Sequence, residues 1–119
     1  MENVLNYIGG ELRPALDQGW LDDFAPSTGQ VHARIADSGA ADVALAVKAA
    51  QAALPAWVAM GRQGRHNAMM HVADLMERDL ELFARAESLD NGKPVHLARE
   101  VDIPRAIANL RFFATAILH

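Results

Sequence analysis

The chain contains no cysteine. A disulfide framework is therefore excluded, a cytoplasmic location is expected, and a thiol nucleophile is unavailable. Positive charge is in deficit: 11 Lys and Arg stand against 15 Asp and Glu, for a net charge of −4 with the histidines neutral. That balance argues against a nucleic-acid partner and against an anionic membrane surface. No apolar run approaches the ~20 residues that a membrane-spanning helix needs. The opening MENVLNYIGGEL has neither the basic nor the apolar region of a signal peptide, so none is expected. Familiar catalytic patterns are missing too. There is no Gly-x-Ser-x-Gly, no His-Glu-x-x-His, and no pair of histidines one helical turn apart among His32, His66, His71, His96 and His119. Asp79 and Glu81 sit two positions apart, which on a helix points them to different faces.

What is present suits one ordinary globular piece: 119 residues, 51% hydrophobic and 22% charged. The first part reads as strands. Gly9-Gly10 divides two short β-compatible runs, as a two-residue hairpin turn requires. Pro26-Ser27-Thr28-Gly29 has the composition of a second turn. Val31, Ala33 and Ile35 alternate with polar neighbours, predicting one apolar strand face.

The remainder reads as helices. Asp37 or Ser38 is placed to cap a helix near Ala41, with Val43, Val47, Ala50 and Leu54 as its apolar stripe and Pro55 as its end. Trp57 would cover that end. A second helix is predicted from about Gln63 to Leu89, with Met69, Val72, Met76, Leu80 and Phe83 on one face and an i, i+4 pair of Glu81 with Arg85. The third helical segment spans Pro94 to Leu118 and buries Ile107, Leu110, Ala114 and Ile117. Strands followed by helices define an α+β chain. The last helix is apolar on several sides, through Leu110, Phe112, Phe113, Ile117 and Leu118. Such a helix expects to be buried, and little else here could bury it.

Between the last two helical segments lies ESLDNGKPVHLAREVDIPRAIANLRFFA. Asp90-Asn91-Gly92 accounts for a helix stop, with Pro94 starting the next element. Pro104 inside a helix would lose a hydrogen bond and press on the carbonyl of Glu100, at ~3 kcal/mol if unrelieved. The reading preferred from sequence is a fresh helix capped by Asp102, with Pro104 and Arg105 in its first turn.

At these residues the chain resembles the N-terminal part of the NAD(P)-dependent aldehyde dehydrogenases. NYIGGEL is similar to that family's opening hairpin. APSTGQVHARIADSGAADVALAVKAAQAALPAW resembles its Asn-Pro-x-Thr-Gly-Glu-Val segment and first helix, with Ala25 where the family usually has Asn. RHNAMMHVADLMER looks like its Arg-x-x-x-Leu-x-x-x-Ala-Asp-Leu helix, with Arg65 as the matching arginine. ESLDNGKP is the most specific piece, and DIPRAIANLRFFA resembles the 2-hydroxymuconic and 2-aminomuconic semialdehyde dehydrogenase branch.

The resemblance implies the N-terminal part of a three-layer α/β fold. It divides residues 1–119 into hairpin strands over 4–36 and a helical lead-in to the NAD-binding domain over 40–119, with no catalytic domain. It implies oxidation of an aldehyde, in this branch a carboxylated semialdehyde, with NAD or NADP as cofactor in the full-length member. The family's catalytic cysteine and glutamate fall beyond His119, so the chain alone is expected to be inactive and to bind neither nucleotide tightly. Two residues inherit candidate roles. Asp90 matches an aspartate that helps hold a monovalent cation with backbone carbonyls near Phe24; otherwise it satisfies N–H groups at a helix end. Arg105 falls where the family lines its aldehyde entrance, and a guanidinium there suits a distal carboxylate; otherwise it pairs with Glu100 or Asp102 at the surface. The expected partner is the remainder of the dehydrogenase chain, or a second copy meeting it through apolar helices. The alternative function is a non-catalytic interaction or oligomerisation module.

Overall fold

The computed structural model describes residues 2–119, in two compact units that meet in sequence at Ala56 and Trp57.

The first unit carries five strands and most of one helix. Strands β1 (Glu2–Val4), β5 (Gln30–Ala36) and β4 (Trp20–Ala25) form a sheet in the order β1-β5-β4. β1 lies parallel to β5, and β4 antiparallel to it with an irregularity at Asp23 and Phe24. β2 (Asn6–Ile8) and β3 (Glu11–Arg13) form a separate hairpin. Its turn is Gly9-Gly10, at φ +64° and +87°. Both central residues thus take the left-handed conformation that suits a two-residue hairpin, and glycine reaches it without a Cβ penalty. The Pro26–Gly29 turn also forms: the Ala25 carbonyl accepts from Thr28 N–H at 3.1 Å and Gly29 N–H at 2.8 Å. On β5 the expected apolar face is only partly realised, because Ala33 and Ala36 are buried while Ile35 is exposed.

Helix α1 runs over Ala40–Ala59, so Pro55 lies inside it rather than ending it. The residues around Pro55 are exposed, so water can take up the carbonyl that the ring displaces. Neither Asp37 nor Ser38 caps the helix; the Ser38 hydroxyl bonds Asn6 instead. Asp42, in the first turn, takes that role by reaching back. One carboxylate oxygen accepts from Gly39 N–H at 3.0 Å, as the third residue of a capping box does, and the other accepts from Leu16 N–H at 3.0 Å. The stripe expected to be core, Val43, Val47, Ala50 and Leu54, faces solvent, and the half-buried side is Leu45, Ala46 and Ala49. Alanine permits the close approach here: a Cβ placed on Gly9 would lie 3.9 Å from that of Ala49.

The second unit is helical. The predicted long helix is two: α2 (Gly61–Arg78) and α3 (Leu80–Asn91), broken at Asp79 with φ −103° and ψ 22°. Arg78 holds the Asp79 carboxylate with two hydrogen bonds, at 3.0 and 2.6 Å, on the residue that leaves helical geometry. Gly92 ends α3 in the left-handed conformation, φ 77°, and donates its N–H to the Ser88 carbonyl. Pro94 precedes a short helix, α4 (Val95–Leu97), which leads through a π-helical turn (Ala98–Asp102) into α5 (Ile103–Ala116).

That π-helical turn corrects the reading of Pro104. Asp102 has helical dihedrals and makes no capping hydrogen bond. The chain runs on from the turn into α5, and Ile103 N–H reaches the Ala98 carbonyl, five residues back. Widening the helix there relieves the crowding that Pro104 would otherwise cause against Glu100.

The core of this unit is small and largely alanine. Ala73 of α2, Ala84 of α3 and Ala98 of the π-helical turn are fully buried beside Ile103 and Ile107, with Met76, Leu80 and Leu110 packed around them. Ile107 and Ala114 are buried as the apolar spacing of α5 requires, and Leu110 and Ile117 are half-buried. Phe112 and Phe113 stack edge to face, 5.2 Å apart, and both stand exposed. The α+β class read from sequence holds.

Candidate functional site

The turn after α3 is held by side-chain hydrogen bonds to its backbone. The Asn91 side chain accepts from Lys93 N–H at 2.8 Å, and the Ser88 hydroxyl donates to the Lys93 carbonyl at 2.6 Å. With Gly92 in left-handed geometry, these bonds fix the Lys93 backbone on both sides. Its ammonium then sits 2.5 Å from one oxygen of Asp102, across a half-buried contact. Asparagine, glycine and lysine thus have distinct tasks in one short run, and the lysine task was invisible in the sequence.

Arg105 lies in the first turn of α5 and is exposed. Its side chain pairs with neither Glu100 nor Asp102, and Asp102 is already held by Lys93. Among the described residues no carboxylate stands within ion-pair distance of Arg105. Asp90 is exposed in the last turn of α3. A carboxylate is disfavoured at the negative end of a helix dipole, so a cation at that end would relieve it. Phe24, whose neighbouring carbonyls were the other expected ligands, is on β4 of the first unit.

The ion pairs that brace the second unit also escaped sequence reasoning, apart from Glu81 with Arg85, which forms at 2.8 Å. Arg99 of the π-helical turn grips Glu81 of α3 with two hydrogen bonds, at 2.7 and 2.9 Å. Those bonds, reinforced by the charges of Arg99 and Arg85, hold the Glu81 carboxyl down to about 2. Arg111 of α5 bonds both Glu77 and Asp74 of α2. Its hydrogen bonds hold Glu77 below the usual carboxylate range. His66 of α2 places Nδ1 2.9 Å from the Ala114 carbonyl, so this histidine is a structural tie to α5. An acidic residue in the first helical turn was the available signal for Asp42. No sequence signal pairs Arg111 with acids more than 30 positions away.

These features belong to a known architecture. The aldehyde dehydrogenase family matches over residues 15–119, and the chain belongs to that family. It is similar to the 2-aminomuconic semialdehyde dehydrogenases of Bos taurus and Homo sapiens, each 46% identical over 114 residues, covering 96% of this chain and 23% of theirs. Among solved structures it is similar to PnpE from Pseudomonas sp. WBC-3, with a TM-score of 0.92 and 40% identity over 98% of this chain and 24% of that one. A PnpE structure holding nicotinamide adenine dinucleotide matches with the same TM-score, 0.92, at 41% identity over 97% of this chain and 23% of that one. The chain therefore spans about a quarter of the length of the relatives it matches.

Proposed function

We propose that residues 1–119 are the N-terminal portion of an NAD-dependent aldehyde dehydrogenase that oxidises a carboxylated semialdehyde to the acid, with Arg105 gripping the distal carboxylate. The observation that carries the substrate class is the Arg105 guanidinium: exposed, in the leading turn of α5, and without a carboxylate partner among the described residues. A planar guanidinium can meet a carboxylate through two parallel hydrogen bonds, which fixes orientation as well as charge. The branch similarity supports the same class, since 2-aminomuconic semialdehyde dehydrogenases match at 46% identity.

Chemistry is assigned to the rest of the full-length enzyme. With no cysteine, this chain cannot form a thiohemiacetal, and no nucleotide site is assigned to it. NAD would supply the hydride acceptor, while Arg105 would bind and orient the substrate. NADH formation by the 119-residue chain alone, given NAD and a semialdehyde, would overturn that division. Asp90 as a monovalent-cation ligand and a cytoplasmic location belong to the same proposal; activity that is indifferent to exchange of sodium, potassium and lithium would remove the former.

The substrate reading is tested with Arg105→Ala in the full-length enzyme. A charge-assisted hydrogen bond is worth about 1.5–3 kcal/mol, so KM for a carboxylated semialdehyde should rise roughly tenfold to a hundredfold. A simple aliphatic aldehyde should be used almost as before. Equal losses on both substrates would refute carboxylate recognition.

A second reading has its own observation. Leu82, Phe112 and Phe113 are 68%, 67% and 59% exposed, a large apolar surface for so small a chain. The remainder of the dehydrogenase chain covers these faces in the first reading. In the second, a copy of this chain covers them and the product is a non-catalytic oligomerisation module. Sedimentation as a cooperatively unfolding monomer would exclude the second reading.

A further inference from the structure

Resting on the reading of Arg105 as a carboxylate grip, we propose that Lys93 is a positioning residue for substrate selection: by holding Asp102, it keeps that carboxylate off Arg105. Asp102 precedes Arg105 by three residues, the spacing at which a carboxylate and a guanidinium meet on a helix. Left alone, the pair would close and neutralise the group that has to meet the substrate. Instead the Asp102 carboxylate lies 2.5 Å from the Lys93 ammonium, on a side chain 28% exposed, while Arg105 stays exposed. Glu100, the other nearby acid, is exposed and pairs with neither.

The lysine is well placed to compete. Its backbone is held by the Asn91 side chain on the N–H side and by the Ser88 hydroxyl on the carbonyl side. Gly92, at φ 77°, sets the direction in which the chain leaves α3. Little backbone freedom remains to be lost when the ammonium meets Asp102, so the contact costs less ordering entropy than a surface pair between flexible residues. The turn after α3 thereby acts on the specificity of a residue a dozen positions downstream. Lys93 is given no contact with substrate; it acts through Asp102.

The test uses the full-length enzyme with a carboxylated semialdehyde and an uncharged aldehyde of similar length. Lys93→Met frees Asp102, so KM for the carboxylated substrate should rise about fivefold, the scale of one part-exposed ion pair, with kcat little changed. KM for the uncharged aldehyde should not move. Lys93→Met combined with Asp102→Asn removes both the lysine and its competitor, and KM should return to the parent value. That double variant also separates the proposal from a direct attraction of Lys93 for the anionic substrate, under which KM would stay high; such a result overturns the proposal. An unchanged KM in a folded Lys93→Met protein overturns it as well. Should Lys93→Met fail to fold, the double variant decides alone: parent-like selectivity sustains the proposal and lost selectivity ends it. Arg105→Ala keeps the underlying reading separate. If Arg105→Ala leaves selectivity intact, the carboxylate grip itself is wrong; if it destroys selectivity while Lys93→Met does nothing, only the positioning role fails.

Discussion

Arg111 and Glu77 are 34 positions apart in sequence, yet an Arg111 Nη2 lies 2.7 Å from a Glu77 oxygen. The same nitrogen reaches Asp74 at 2.9 Å, so one guanidinium on α5 bridges two acids three residues apart on α2. The same two helices share an apolar core through Ala73 and Ile107 and are tied by His66 to the Ala114 carbonyl. The fork contributes direction more than energy, since exposed charges are screened by solvent and salt.

Arg111→Met is accordingly expected to loosen α5 against α2 rather than unfold the unit. Amide hydrogen exchange should speed up along α5, and the parent protein should approach the same behaviour as salt is raised. Uniformly faster exchange across α3 as well would contradict a local role.

Acid should act on the same unit in a defined window. Glu81, ordinarily near 4.5, is held at about 2 by Arg99 and Arg85, and Glu77 is lowered by Arg111. A carboxyl whose folded value is depressed contributes stability that is complete above its unfolded value and is lost as pH falls toward the folded one. Stability should therefore decline between about pH 4.5 and 2. Glu81→Gln should flatten part of that decline while lowering stability at neutral pH. Denaturant midpoints measured across the range check both signs.

Gly92→Ala places a Cβ at φ 77°. The cost should be about 1 kcal/mol, from the left-handed strain of a non-glycine residue. Because the Lys93 backbone is set by this turn, selectivity for a carboxylated substrate should fall along with the urea midpoint. A variant as stable as the parent would show that the left-handed stop is not required.

Ala98→Leu adds bulk at a fully buried position in the π-helical turn. Overpacking should destabilise by roughly 1–3 kcal/mol, because the added side chain would have to displace the alanines and isoleucines of the same buried cluster. A stable variant in thermal unfolding would reveal a void beside the turn.

Local chemistry was well marked in the sequence. Gly9-Gly10 could be read as a hairpin because both residues need positive φ, and Gly92 as a helix stop for the same reason. The α5 face followed from spacing, since Ile107 and Ala114 recur at seven and are buried. What escaped depended on distance along the chain. The parallel pairing of β1 with β5 joins residues about 30 positions apart and leaves no periodic trace. The α1 stripe misled because its apolar residues are exposed in this chain, whereas small alanines make the close contacts. The family was legible from motif order, and Arg105 was named from the same resemblance. Its freedom from Asp102 was not, because that depends on where Lys93 ends up.

The π-helical turn carries a geometric consequence. Each residue of an α-helix turns the chain by about 100°, so an extra residue in one turn acts as a phase shift between the helix before it and the helix after it. Ala98 and Ile107 sit on either side of that shift, and both face the same core. Tightening that turn to α-helical geometry with no residue removed would rotate α5 by about a quarter of a revolution. Ile107 and Ala114 would turn out to solvent, and Arg105 would sweep away from its present bearing. The irregular turn is thus the angular key that lets one continuous helical segment serve the core and present an arginine at a chosen azimuth.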